Sequence, residues 1–301
     1  MPVCDAPLLG AVHAYPGLEK ALGRVLAYVL GRQSPQGGFC FYRNEYLDEP
    51  NLSDTWCATT ILADLLRTEI PRRSRHAEFV IGLPIQPQAF ALYHRVGALQ
   101  CLGWADPWTD KVRMAVMALP VRAPARNPPR ASLTVELARL GDTLCLKRHF
   151  QLEIAIHDLA QALLRLEHAD GGFGTPPNLL DTAAALAALD FCGVAASPHT
   201  ADFVQRMAVP GFGFRLAAGS FSPNLETACA GMSSCRLLGL PVPHADDAVS
   251  FILSCQSGSG GFARAADALP DLTLTHLALS TLAQHVARRP VSDPLACADG
   301  V

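Results

Sequence analysis

One short turn recurs along the chain, and a recurrent turn confines the fold to a repeat architecture. Its four versions are RQSPQGGFCF (32–41), RLEHADGGFG (165–174), MAVPGFGF (207–214) and SCQSGSGGFA (254–263). Gln33, Glu167 and Gln256 each precede the first glycine of their turn by four residues. A helix-start signal follows every turn: PNLSDTWCATTILADLL from 50, PNLLDTAAALAAL from 177, PNLETACAGMSSCRLLG from 223 and PDLTLTHLALSTLA from 270. Glycine just beyond a helix lets the backbone take positive φ there. An acid in the first turn of the next helix caps free N–H groups and suits the helix dipole. Each repeat therefore reads as a helical hairpin folded at its glycine turn.

The first glycines of the four turns stand at 37, 171, 211 and 260, so the first interval leaves room for two degenerate repeats. Residues 73–103 and 107–146 fit, each with a helical stretch, a proline-containing break and another helix. First helices are expected near 17–33, 73–83, 107–119, 150–167, 198–208 and 243–256. Second helices are expected near 54–67, 87–103, 131–146, 181–193, 226–239 and 272–288, with no strands. The second helices are apolar nearly all round and should be buried on most sides, whereas the first are amphipathic. Six hairpins without polar end caps favour a closed ring over an open solenoid. The expected fold is all-α, an (α/α)6 toroid over 17–289, preceded by an N-terminal segment 1–16 and followed by a tail 290–301.

Composition excludes several functions. Half of the 301 residues are hydrophobic and only 17% are charged, which suits a body with a large or internal apolar face. A net charge of −3 offers no general attraction for nucleic acid. No apolar run reaches the roughly 18 residues of a membrane span. The start lacks the basic region of a signal peptide. Ten cysteines without paired spacing read as buried thiols in a reducing compartment, with the cytoplasm as the default.

The pattern Q-x-x-x-G-G-F followed by P-N-L-x-[DE]-T resembles the repeat shared by protein prenyltransferase β subunits and class II terpene cyclases of the squalene-hopene type. The resemblance runs over nearly the whole chain and is weakest in the middle two repeats. It implies inner-helix N-termini around a deep apolar cavity that receives an isoprenoid chain or lipid. In the cyclases an acid from a D-x-D-D motif protonates an alkene. This chain has no such motif, and HADD at 244–247 opens an expected outer helix, where it reads as capping charge. Single acids stand at the inner-helix starts, namely Asp54, Asp181, Glu226 and Asp271. Each is an N-cap candidate first and a candidate acid second.

The transferases of this family hold zinc through a D-x-C pair on the fifth inner helix and a histidine from the sixth. Here Ala228 stands at the cysteine position and Leu274 at the histidine position. A displaced set of Glu226, Cys229 and His276 would hold Zn²⁺, with its first two donors on one helix face. The family's diphosphate-binding arginine corresponds to Arg215, and Arg43 and Arg264 occupy equivalent loops. Converging guanidinium groups at helix N-termini suit a diphosphate, which would bring Mg²⁺ with it. Arg95, beside Tyr93 and His94, and the pair Lys147 and Arg148 are further polar groups on or beside inner helices. Tyr42, Trp56 and Phe214 are aromatic candidates at the mouth, although most Gly-Gly-Phe phenylalanines are expected to wedge between repeats. Three functions follow from the resemblance: a small terpene-cyclase-like enzyme, a zinc-dependent transferase with an α-subunit-like partner, or a non-catalytic isoprenoid-binding scaffold.

Overall fold

In a computed structural model, Leu8, Tyr15 and residues 17–125 and 132–286 are described. The remaining positions of the 1–16 segment and the tail 290–301 lie outside the described residues. Six outer helices are α1 (Leu18–Gly31), α3 (Arg73–Gly82), α5 (Thr109–Ala118), α7 (Ile156–Leu164), α9 (Pro198–Arg206) and α11 (Ala245–Ser254). They alternate with six inner ones: α2 (Leu52–Thr60), α4 (Ala89–Cys101), α6 (Leu133–His149), α8 (Leu179–Phe191), α10 (Leu225–Leu237) and α12 (Leu272–Val286). Each inner helix packs on the next, and α12 returns to α2, so the ring is closed. The chain forms the expected alpha-alpha toroid.

The repeat motif is the joint of this ring. In three versions the phenylalanine N–H donates to a threonine hydroxyl on the following inner helix: Phe39 to Thr55 (3.0 Å), Phe173 to Thr182 (3.1 Å) and Phe262 to Thr275 (2.9 Å). Those hydroxyls in turn donate to the carbonyls of Asn51, Asn178 and Asp271. The residue four before the first glycine reaches the next outer helix. Gln33 donates to the Pro71 carbonyl at 2.9 Å, and Glu167 accepts from Ser197 and Thr200. Gln256 closes the circle by donating to the Ala21 carbonyl (2.9 Å) and accepting from Arg24. Gly171 and Gly260, both at positive φ, lie so close to the backbones of His199 and Arg24 that any Cβ would overlap a carbonyl. The four phenylalanines are fully buried, as wedges should be.

Three expectations are corrected here. Short strands do form: β1 (Phe39–Arg43) pairs with β2 (Asp48–Asn51), and β3 (Ala208–Val209) with β4 (Gly213–Phe214), all antiparallel. They arise because the links between outer and inner helices must run extended into the helix cap, where Asn51 has φ −136° and ψ 167°. The inner helices α2 and α8 begin two residues earlier than expected, since the asparagine, not the acid, is the cap. The helix expected from 150 begins at Ile156, because α6 continues to His149 and Gln151 takes positive φ.

A test of the joint is Gly260→Ala, which is expected to cost about 2–4 kcal/mol in urea unfolding through strain and overlap. Gly258→Ala, in the same turn but with open space around it, should stay within about 0.5 kcal/mol of the parent.

Candidate functional site

The inner-helix N-termini form one rim of the ring, and the asparagine caps explain its acids. Asn51 accepts from the Asp54 N–H at 2.9 Å while its own amide donates to the Asp54 carboxylate at 2.5 Å. Asn178 and Asp181 repeat this exchange, and Asp181 also accepts from the Thr134 hydroxyl on α6 at 2.5 Å. Asp271 is itself the cap, accepting from the Leu274 N–H at 2.6 Å. Glu226 pairs with Arg264 at 2.7 Å across the rim. Burial raises the pKa of Asp54 and Asp271, with the charge of Asp271 adding to the rise at Asp54 and that of Glu226 to the rise at Asp271. All four acids therefore have structural partners at the helix starts.

The expected diphosphate cations do not converge. Arg43 pairs with Asp48 at 3.4 Å, Arg264 with Glu226, and Arg215 donates to the Arg206 carbonyl at 2.9 Å. Arg95 is a structural clamp rather than a ligand-facing group: it is 2% exposed, pairs with Asp106 at 2.6 Å and donates to the carbonyls of Val80, Ile81 and Leu83. Such a site needs a fixed cation because it ties the end of α3 to the loop after α4. Phe214 is also corrected, being wholly buried against Gly231 of α10. Tyr42 is half exposed, with the Arg32 guanidinium 5.2 Å from its ring centre. Lys147 donates to the Met117 carbonyl at 3.2 Å, and Arg148 lies over the Phe191 ring at 3.7 Å.

The displaced zinc set is not assembled either. Glu226 is engaged by Arg264 on the rim. Cys229 is buried, its thiol pushed up to about 12 by burial and lowered in part by Thr281. His276 instead packs on Trp56, centroids 4.8 Å apart. Among the described residues no group of three or more His, Cys, Asp or Glu could hold a metal ion.

What the fold does bring together is a cluster of rings inside the inner layer. Trp56 of α2 stacks on His94 of α4 (4.6 Å), meets Tyr93 edge-on (5.4 Å) and touches His276 of α12. Trp56 also fills the space over Gly97, where a Cβ would meet the indole. His94 and His276 are both pushed down to about 4 by burial, and His94 further by its neighbour, so both are neutral near pH 7. Phe90 meets His94 edge-on at 4.0 Å and forms part of the wall of a cavity of about 1250 Å³. That cavity lies between the first halves of α4 and α6 and the segment 119–125, with walls mostly of Ala, Pro, Leu and Val. Its wall also carries polar groups the sequence reading did not single out, Gln86, Gln88, Arg122, Glu136, Arg139 and Thr143, and with them Asp142 of α6. Burial lifts the pKa of Asp142 to about 7. Its signal in the sequence was an acid among the leucines of an inner helix, in LARLGDTLCL. A second cavity, of about 340 Å³, lies between the last turns of α10 and α12 and has no carboxylate in its wall.

A family model described as the prenyltransferase alpha-alpha toroid domain matches residues 8–201 and 228–296. Candida albicans protein geranylgeranyltransferase-I complexed with GGPP has a similar structure, with TM-score 0.59 and 14% identity over 77% of this chain and 83% of that one. The type II terpene cyclase MstE from Scytonema (apo) has TM-score 0.54 and 13% identity over 89% of this chain and 96% of that one. A variant of that cyclase in complex with merosterolic acid A has TM-score 0.56 and 14% identity over the same shares. At these identities the likeness is one of fold. No curated protein matches the sequence.

Two outcomes test the assignments of this site. Arg95→Ala should lose about 3–5 kcal/mol, since it leaves Asp106 with its buried partner removed, whereas Arg264→Ala on the exposed rim should lose no more than about 1 kcal/mol. For the histidines, a folded-state pKa below the ordinary value near 6.5 means that the unfolded chain takes up the proton first. Stability is thus complete above about pH 6.5 and declines as pH falls towards 4, and His276→Leu should flatten that slope in urea titrations.

Proposed function

The chain belongs to the prenyltransferase alpha-alpha toroid family, and from that premise we propose that it is an isoprenoid-transforming enzyme of the terpene-cyclase type. The observation that carries this reading is the cavity of about 1250 Å³ between α4 and α6, walled largely by apolar side chains. It exceeds the roughly 300–1,000 Å³ of ordinary small-ligand pockets, as a long, flexible hydrocarbon requires. The prenyl and terpenoid ligands named for the Candida albicans and Scytonema proteins supply the substrate class. Phe90, backed by His94, Trp56 and Tyr93, presents aromatic surface of the kind that stabilises cationic centres.

A cyclase is favoured over a zinc transferase because Glu226, Cys229 and His276 have separate partners and, among the described residues, no donor set converges. No step in this reading passes through Zn²⁺ or Mg²⁺, and none requires an α-subunit-like partner. The arginines the sequence offered for a diphosphate, Arg43, Arg95, Arg215 and Arg264, are bonded elsewhere.

The test is incubation of purified protein with farnesyl and geranylgeranyl diphosphates and with squalene-type hydrocarbons, with and without Mg²⁺ or Zn²⁺. Mass-unchanged cyclised products that do not depend on metal are expected. Near-stoichiometric zinc that disappears in Cys229→Ser would favour the transferase, and tight prenyl binding without any product would favour a carrier.

A further inference from the structure

Arginines that fold back onto the ring are held by the protein itself. Arg24 donates to Gln256, Arg73 to the Leu102 carbonyl, Arg95 to Asp106 and three carbonyls, and Arg215 to the Arg206 carbonyl. Arg236, half-buried in the last turn of α10, differs. Its Nε is buried without a hydrogen-bond partner, and among the described residues no carboxylate or carbonyl holds its guanidinium. We propose that Arg236 is the anion-binding group of a second ligand site, the cavity of about 340 Å³ between the last turns of α10 and α12, and that its ligand is a compact carboxylate with an aryl or branched-alkyl body. This site lies at the opposite end of the inner helices from the rim, and it does not rest on the cyclase reading.

The wall matches both halves of such a molecule. Leu240, Pro241 and Val242, in the link after α10, give it an apolar surface. Ser233 stands three residues before Arg236, on the same helix face, and Gln284 lines the same cavity from α12. Neither side chain has a hydrogen-bond partner among the described residues, so two neutral donors accompany the unpaired guanidinium. The neighbouring polar groups are already committed. His285 meets the Tyr15 hydroxyl at 3.0 Å, and Thr281 bonds the Cys229 thiol. The carbonyls at the end of α10 do not call for Arg236 either. Those of Ser234, Cys235 and Arg236 accept from the N–H groups of Leu238, Leu240 and Gly239 at 3.0, 2.8 and 3.2 Å.

The charge and size of the ligand follow from the same geometry. Arginine stays ionised, and its planar fork fits a carboxylate with two parallel hydrogen bonds. The cavity wall holds no carboxylate to neutralise it. Both α10 and α12 end here, and the negative ends of their dipoles disfavour a more highly charged group such as phosphate. One cation in that setting suits a single negative charge. The volume stands near the lower limit of small-ligand pockets, which run from about 300 to 1,000 Å³. An aromatic ring or a short branched chain fits such a space, whereas a long prenyl chain does not.

The test is calorimetric titration of the whole chain with acetate, 3-methylbutanoate and phenylacetate, with phenylacetamide and inorganic phosphate for comparison. Affinity should rise along the three acids as the apolar body grows. Phenylacetamide and phosphate should each bind at least about 10-fold more weakly than phenylacetate. Arg236→Gln should weaken phenylacetate binding at least about 10-fold, the loss of a charge-assisted hydrogen bond. Arg236→Lys, which keeps the charge without the fork, should fall between Arg236→Gln and the parent. Val242→Trp fills the cavity, leaves Arg236 in place and should abolish binding. Because the protein offers Arg236 no partner, unliganded Arg236→Gln should unfold at the parent's urea midpoint, which separates a ligand-binding role from a structural one. The proposal is overturned if no acid of the series binds the parent, or if phosphate binds as tightly as phenylacetate. It is equally overturned if Arg236→Gln or Val242→Trp binds phenylacetate as the parent does, or if the unliganded midpoint of Arg236→Gln falls as far as that of Arg95→Ala.

Discussion

The contact of each Gly-Gly-Phe turn with the backbone of the next outer helix is the constraint on which the ring depends. A glycine at positive φ lets the chain reverse at the helix end, and its missing Cβ lets the turn lie directly on a neighbouring carbonyl. The phenylalanine then fills the wedge-shaped gap, and its N–H is satisfied by a threonine of the inner helix. The same device at Gly260, with Gln256 reaching Ala21 and Arg24, joins the last repeat to the first. Closure leaves no terminal repeat with an exposed apolar face, the condition that open solenoids meet with polar caps.

This economy has a chemical consequence at the rim. Asparagine caps and the acids three residues on bind one another, so residues that might serve chemistry are committed to starting helices. The cavity lies between the second and third hairpins, where the turn motif is absent. There, long cations replace it. Arg95 gathers three carbonyls and Asp106, Arg73 donates to the Leu102 carbonyl, and Lys147 donates to that of Met117. Side-chain clamps hold these repeats without requiring backbones to touch. We read the degenerate repeats as the part of the ring released from close packing, and so the part free to hold a ligand.

The interior chemistry is set by burial more than by charge pairs. Burial lowers the pKa of His94 and His276 to about 4 and raises that of Asp142 to about 7. Trp56, Phe90 and Tyr93 add ring surface without adding charge.

The sequence by itself determined the twelve helices, their alternation and the closed ring, because each rests on local chemistry that repeats: a glycine for positive φ, an asparagine or aspartate for the cap, and an apolar period along the helix. Trp56 and His276 were singled out in the sequence, the one as an aromatic at the mouth and the other as a zinc donor, and the structure places them together in the ring cluster of the inner layer. Asp142 and the fate of Arg95 were not. Inner helices that are apolar nearly all round carry no amphipathic stripe to separate the face towards the cavity from the faces towards neighbouring helices. Only the tertiary structure decided that Arg95 turns to backbone carbonyls and Asp106, that Glu226, Cys229 and His276 take separate partners, and that Asp142 meets open space. The physical reason is that side-chain direction on a helix buried on every side depends on which neighbour fills each gap, and those neighbours come from distant parts of the chain.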